Sequence, residues 1–261
     1  MTNGEYADEQ MQRGGPLSRK KFLAGSAALL GGGALAAALP KAARAHSTPE
    51  PPTDIDVLNY ALTLEHLEYA FYRDGLKRFD QLDFRRFFGP GRGLPPKAGL
   101  LDVAGSKVYN YFMLILDHED THVDTLTSVI TDLGGKPVPE ATYNFRSTAF
   151  TSLKKFIAVA QFLENTGVTA YDGAIAHIEA AALLRAGATI ATVEARHASY
   201  LNLLNGVVGF PDTFDTPVAP RDICEAVKAE NDGFIVSTPR PYGPYESLDA
   251  LCARLPTTTT P

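Results

Sequence analysis

Glu119-Asp-Thr-His122 and Glu194-Ala-Arg-His197 each set a carboxylate and an imidazole three residues apart, and Glu65-x6-Tyr72 and Glu164-x6-Tyr171 each set a carboxylate and a phenol seven apart. On a helix of about 3.6 residues per turn, both spacings return to one face. The order along the chain is Glu, Glu-x-x-His, Glu, Glu-x-x-His, an internal repeat of chemistry. Four carboxylates and two imidazoles converging in a dry interior would cost several kcal/mol per buried anion without a counter-charge. Two divalent cations offset the four negative charges. Carboxylates bridge two ions, and one imidazole nitrogen for each suits iron or manganese. The candidate metal ligands are therefore Glu65, Glu119, His122, Glu164, Glu194 and His197, for two Fe or two Mn ions. One Glu-x-x-His alone is a weak signal, because most such pairs are solvated i, i+3 neighbours. Two of them, each following a Glu-x6-Tyr segment, make coincidence a poor explanation.

The neighbours of these residues carry more than one reading. Glu68 lies one turn from Glu65 and reads as a seventh ligand, as an acceptor behind the ligands, or as a partly exposed structural acid. Tyr72 and Tyr171 lie on the correct face to donate hydrogen bonds to ligands of the partner helices, or are plain core aromatics. His66 and His118 are each one residue, about 100°, off the ligand stripe and read as bundle-surface or inter-helix histidines. His177 falls near an expected turn and reads as solvent-facing.

Helices must position these groups. After the prolines of residues 49–52, Thr53 or Asp54 can cap a helix in which Leu58, Ala61, Leu62, Glu65, Tyr69 and Tyr72 recur at three- and four-residue steps to about Arg78. Phe88 to Pro96 is too rich in Gly and Pro to be helical. A second helix is expected from about Asp102 to Leu133, closed by Gly134-Gly135, and two more between about Phe150 and Asn205, closed by Gly206. Antiparallel helices that hold their glutamates level must turn midway between them in sequence. For Glu65 and Glu119 the midpoint is residue 92, inside the Gly/Pro segment; for Glu164 and Glu194 it is residue 179. The second turn is accordingly expected near Ile178 to Ala182, leaving Gly187 inside the fourth helix at a cost of about 1 kcal/mol relative to Ala.

The remaining connection, from Gly134 to Ser147, is 14 residues long. Extended, it reaches roughly 46 Å, enough to run the length of helices of roughly 40 Å. The second and third helices then run parallel, joined by one long crossover. An up-down-up-down bundle would need only a few residues there.

The strings Leu64-Glu-His-Leu-Glu-Tyr-Ala-Phe-Tyr72, Glu164-Asn-Thr-Gly-Val-Thr-Ala-Tyr171 and Val193-Glu-Ala-Arg-His-Ala-Ser-Tyr200 resemble the ferritin-like proteins often called desiccation-related. Two Glu and two Glu-x-x-His on four helices, with one long crossover, is also the known pattern of ferritin-like di-iron and di-manganese proteins. The resemblance covers helices one to four. It implies an all-α fold, a ferritin-like four-helix bundle over residues 54–205, and iron oxidation or reaction with oxygen or peroxide at a dinuclear site in a stress-protective setting. It names no substrate. The alternative function is a non-catalytic stress or desiccation-related bundle in which metal is structural or absent. Iron storage in a shell fits poorly, because such cages need compact subunits.

Residues 206–261 hold several prolines and little periodicity and read as an irregular C-terminal extension, with a short helix near Cys224 to Glu230. The N-terminus reads as an export signal over residues 1–45, followed by a linker at 46–53. Ser18-Arg19-Lys20-Lys21-Phe22-Leu23 precedes an uncharged run from Ala24 to Leu39, then Ala43-Arg44-Ala45 as a small-x-small cleavage site. The string resembles a twin-arginine signal, with Lys20 where that family usually has its second arginine. The uncharged run is short of the roughly 20 residues of a comfortable membrane span, so no stable span is expected after cleavage near Ala45, an uncleaved anchor being the alternative, and the destination is the periplasm or cell envelope. Cys224 and Cys252 have no zinc-type spacing; if the chain is exported, they read as a disulfide. The net charge is −6. Removing residues 1–45 leaves 18 basic and 27 acidic residues, a surface that excludes nucleic acid as a natural partner. Metal ions and small oxidants are the expected partners, with an oligomer left open.

Overall fold

The computed structural model describes residues 52–88 and 105–260. The expected signal segment, all but the end of the linker that follows it, and the Gly/Pro turn around residue 92 lie outside the described residues.

Helix α1, Asp54–Arg78, starts in a capping box: the Thr53 side chain accepts from Asp56 N, and the Asp56 carboxylate accepts from Thr53 N at 2.9 Å. A short helix that periodicity did not reveal, α2 (Gln81–Phe88), follows. Asp80 caps it, accepting from the backbone of Leu82 and Asp83. It buries Phe84 completely, against Phe112 and Tyr109. The described part of the second long helix, α3, is Gly105–Asp132. Gly134, at φ +78°, lets Gly135 N return to Ile130 O and closes it. Helix α4 spans Leu153–Ile175. It begins three residues later than periodicity suggested, because a 3-10 turn occupies Ala149–Thr151 and the extended Ser152 is the cap. Helix α5 spans Ala181–Leu204 and contains Gly187. The turn before it is pinned from α1: the Asp54 carboxylate accepts from Glu179 N at 2.8 Å and Ala180 N at 3.1 Å, an anion at a helix N-terminus.

Side-chain pairs fix the directions. Along α1 the partners on α3 descend, from Glu65 with His122 to Tyr72 with Phe112. Those on α4 descend too, from Glu65 with Tyr171 to Tyr72 with Glu164 and Phe71 with Phe156. Both α3 and α4 are thus antiparallel to α1 and parallel to each other. Glu164 with His197 and Gln161 with Asn202 make α5 antiparallel to α4. The connection between α3 and α4 is the long crossover, and it runs along α1. Asn59 takes Val138 N at 2.8 Å, His66 meets Val138 O at 3.2 Å, and Arg73 grips Glu140 through two bonds of 2.9 and 3.0 Å. At its far end Phe145 and Phe150 join Phe71 and Phe156 in an aromatic cluster.

The residues after Gly206 are not irregular throughout. They form α6 (Pro220–Ala226), a 3-10 turn, β2 (Ile235–Ser237) and α7 (Leu248–Arg254). The strand pairs antiparallel with β1 (Thr142–Tyr143) in the crossover. Helices of seven residues complete only two turns, too few for an apolar repeat to stand out. A disulfide between Cys224 and Cys252 ties α6 to α7. This segment docks on the bundle in two places. Val218 N donates to Thr169 O at 3.1 Å, an approach that only Gly173 permits, since a Cβ there would lie 1.8 Å from Val218 O. On α1, Tyr245 and Arg254 both bind Asp56, and Tyr242 meets Thr63. Among the described residues, no helix is long and apolar enough to cross a membrane.

Candidate metal centre

The antiparallel pairs bring the six expected ligands to one level inside the bundle. Glu65, Glu119, Glu164 and Glu194 are wholly buried; His122 and His197 keep 8% and 6% of their surface exposed. The donor atoms form two clusters. One is Glu65, Glu119, His122 and Glu194; the other is Glu119, Glu164, Glu194 and His197. Glu119 and Glu194 belong to both, and their oxygens divide between the clusters. Nδ1 of His122 lies 3.1 Å from Glu65 Oε2, Glu119 Oε2 and Glu194 Oε1. Nδ1 of His197 lies 3.1 Å from Glu119 Oε1 and Glu164 Oε2, and 3.7 Å from Glu194 Oε2.

Tyr72 and Tyr171 brace this arrangement crosswise. The Tyr72 hydroxyl, on α1, donates at 2.5 Å to Glu164 Oε1 on α4, and the Tyr171 hydroxyl, on α4, donates to Glu65 Oε1 on α1. In each glutamate the phenol takes Oε1 and leaves Oε2 to face the histidine.

Hydrogen bonds within the protein do not satisfy the site. One Nδ1–H cannot serve three oxygens, and Glu119 Oε1 and both oxygens of Glu194 are buried without a hydrogen bond. The electrostatics show the same strain. Burial pushes the Glu65 carboxyl up to about 8, against the pull of His122, and drives Glu164 well above the usual carboxylate range. Burial also disfavours the charged forms of His122 and His197, but the surrounding glutamates outweigh it and raise both. For Glu119 and Glu194 the imidazoles overcome burial and the balance is downward. Two imidazolium groups balance only Glu119 and Glu194, so ionising Glu65 and Glu164 as well takes further positive charge. A divalent ion in each cluster fits the donor set. The lone pairs of those donors converge from oxygen and nitrogen, and neighbouring donors at ~2.1–2.2 Å from one ion at right angles lie ~3.0–3.1 Å apart, the separation found between each Nδ1 and its carboxylates except for the 3.7 Å between His197 and Glu194.

Three further residues acquire definite places. Glu68 is buried, at 4% exposure, rather than a partly exposed acid, and belongs to neither cluster. Burial together with Glu194, Glu164, Glu119 and Glu65 raises it well above the usual range. Its carboxylate lies over Gly167 of α4, where a Cβ would sit 3.2 Å from Glu68 Oε1 and 3.8 Å from Glu194 Oε2. His177 lies at the α4–α5 turn and bonds Thr258 O at 2.9 Å. His118 stands between α3 and α5, its Nδ1 2.9 Å from His197 Nε2. The sequence reads His118 as a bundle-surface or inter-helix histidine, and it stands between helices; what the stripe does not name is its partner, because His118 does not face the ligand atoms of its own helix. The level rule could have found it: with Glu119 opposite Glu194 on an antiparallel neighbour, His118 stands opposite Ala195, half a turn from His197.

No curated protein matches the chain by sequence. The model of the ferritin-like domain matches residues 53–206, more than half of the chain and the span from the Thr53 cap to the glycine that ends α5. The chain belongs to the ferritin-like domain family.

Proposed function

We propose that this chain is an exported oxidoreductase of the cell envelope that uses two redox-active ions, iron or manganese, to reduce peroxide or oxygen or to oxidise Fe(II), in a stress-protective role. The observation that carries the reading is the sharing of Glu119 and Glu194 by both donor clusters. Shared carboxylates hold two ions side by side, which a purely structural site does not need. When bound, the pair supplies one electron from each ion, the two that reduction of peroxide to water takes. The protein's part is to hold the ligands and keep water out. Glu65 and Glu164 are each fixed by a phenol, and Glu119 and Glu194 span both clusters without leaving the dry interior. The histidines are the only ligands with any exposure, so a small oxidant reaches the centre from their side.

Export rests on the residue pattern at positions 18–45 and is supported by the Cys224–Cys252 disulfide, which suits an oxidising compartment. The stress role rests on the resemblance to desiccation-related proteins. The test is metal counting and turnover on the mature protein. After anaerobic loading with Fe(II), two ions per chain are expected, with aerobic Fe(II) oxidation and peroxide consumption that are lost in Glu119→Ala and His197→Ala. Fewer than one ion per chain, or unchanged turnover in both variants, defeats the reading.

A further inference from the structure

The two halves of the centre correspond residue by residue, Glu65 and Tyr72 with Glu164 and Tyr171, and Glu119 and His122 with Glu194 and His197. The correspondence breaks at His118. This residue precedes Glu119, and its counterpart before Glu194 is Val193. His118 Nδ1 lies 2.9 Å from His197 Nε2, with ring centroids 5.1 Å apart and planes inclined by 18°. Nearly coplanar rings joined nitrogen to nitrogen make an in-plane hydrogen bond, not a face-on stack. The direction of the bond follows from the other nitrogen. Nδ1 of His197 faces Glu119, Glu164 and Glu194, so as a ligand it presents its lone pair there and keeps its proton on Nε2. That N–H donates to His118 Nδ1. His122 also turns Nδ1 to the carboxylates, but among the described residues nothing accepts from its Nε2.

We infer that His118 is a positioning residue for His197, and that it makes the two metal positions inequivalent by holding the ring and tautomer of one histidine ligand, support that among the described residues the other does not receive. The inference rests on the dinuclear reading above. An acceptor behind a histidine ligand fixes its orientation and raises its basicity, and losing one weakens metal affinity by roughly 10–100-fold. The ion held by Glu119, Glu164, Glu194 and His197 is therefore the more tightly bound.

Two measurements test this. In a Co(II) titration of the metal-free protein, two uptake steps of different affinity are expected. His118→Ala should weaken the tight step by roughly 10–100-fold and leave the other within about twofold. His118→Asn, whose side-chain oxygen sits near the position of Nδ1, should recover most of the loss. In the metal-free protein labelled with 15N, a through-hydrogen-bond coupling between a His197 and a His118 nitrogen is expected and should vanish in His118→Ala. Equal weakening of both steps, no weakening, or absence of the coupling overturns the inference. A wild-type protein that shows the coupling but takes up no Co(II) refutes the dinuclear reading, and the inequivalence falls with it; two-step uptake that His118→Ala leaves unchanged refutes the inference alone.

Discussion

The Tyr72 hydroxyl donates a 2.5 Å hydrogen bond to Oε1 of Glu164, a residue 92 positions further along the chain, and Tyr171 returns the same bond to Glu65. Each phenol anchors one oxygen of a buried carboxylate and thereby aims the other at a histidine. Tyr72→Phe and Tyr171→Phe should each keep the helical fold and lose about 1–3 kcal/mol of stability, since a buried carboxylate oxygen is left without its donor. Affinity for Mn(II), followed by electron paramagnetic resonance, should fall by roughly 10–100-fold. A Phe variant with wild-type Mn(II) affinity would show that the ligands hold their own orientation.

The C-terminal segment is held by covalent and ionic ties together. Cys224 and Cys252 close a loop of sequence separation 28, for which the chain-entropy model gives about 3–4 kcal/mol. Cys252→Ser should lower stability to urea by about that amount and leave most of the helix signal, because α1, α3, α4 and α5 have their own core. Loss of the whole helix signal on reduction would instead make the segment essential to the bundle.

Asp56 is where that segment meets α1. Burial pushes its carboxyl up, but Arg254, the Thr53 backbone and Tyr245 outweigh it and hold the carboxyl at about 2, against 3.8 for the free side chain. A depressed carboxylate contributes stability that is present above pH 3.8 and is lost as the pH falls towards 2. The contribution at neutral pH is about 1–2 kcal/mol after allowance for solvent screening at the half-exposed Arg254. Asp56→Asn should remove it and flatten the fall in thermal midpoint between pH 4 and pH 2. An unchanged acid limb in the variant would assign that limb to other carboxylates.

The core of this architecture is legible because the ligands impose it. Level glutamates on antiparallel helices fix the turn between them, which is why residues 176–180 form the α4–α5 turn and Gly187 stays helical. The 14-residue crossover was long enough to span the bundle, yet its contacts were not readable. Asn59 and Arg73 bind it through backbone groups and one acid, and neither has a spacing that announces a partner more than 60 residues away. The inter-helix reading of His118 names no partner for a related reason. Periodicity reports which residues share a face of one helix, and His118 acts across the gap to another. The short elements after Gly206 depend on Asp56, Thr63 and Gly173 in the bundle, contacts that no local pattern carries.

Two glycines in helix interiors offer a matched pair of substitutions. An ideal Cβ on Gly187 meets nothing within 4 Å, so Gly187→Ala should realise the helix-propensity gain and stabilise the protein by about 0.5–1 kcal/mol. Gly167→Ala has the same intrinsic gain, but its methyl group would sit 3.2 Å from Glu68 Oε1 and 3.8 Å from Glu194 Oε2. Glu68 is enclosed and cannot swing into solvent, so the carboxylate must shift towards its neighbours and the gain is spent on crowding. Urea denaturation should therefore show Gly187→Ala more stable than wild type and Gly167→Ala no more stable, and Fe(II) affinity should fall only in Gly167→Ala. If both variants gain stability alike and bind Fe(II) as wild type does, the Glu68 carboxylate does not rest on Gly167, and the space over that glycine has no part in the centre.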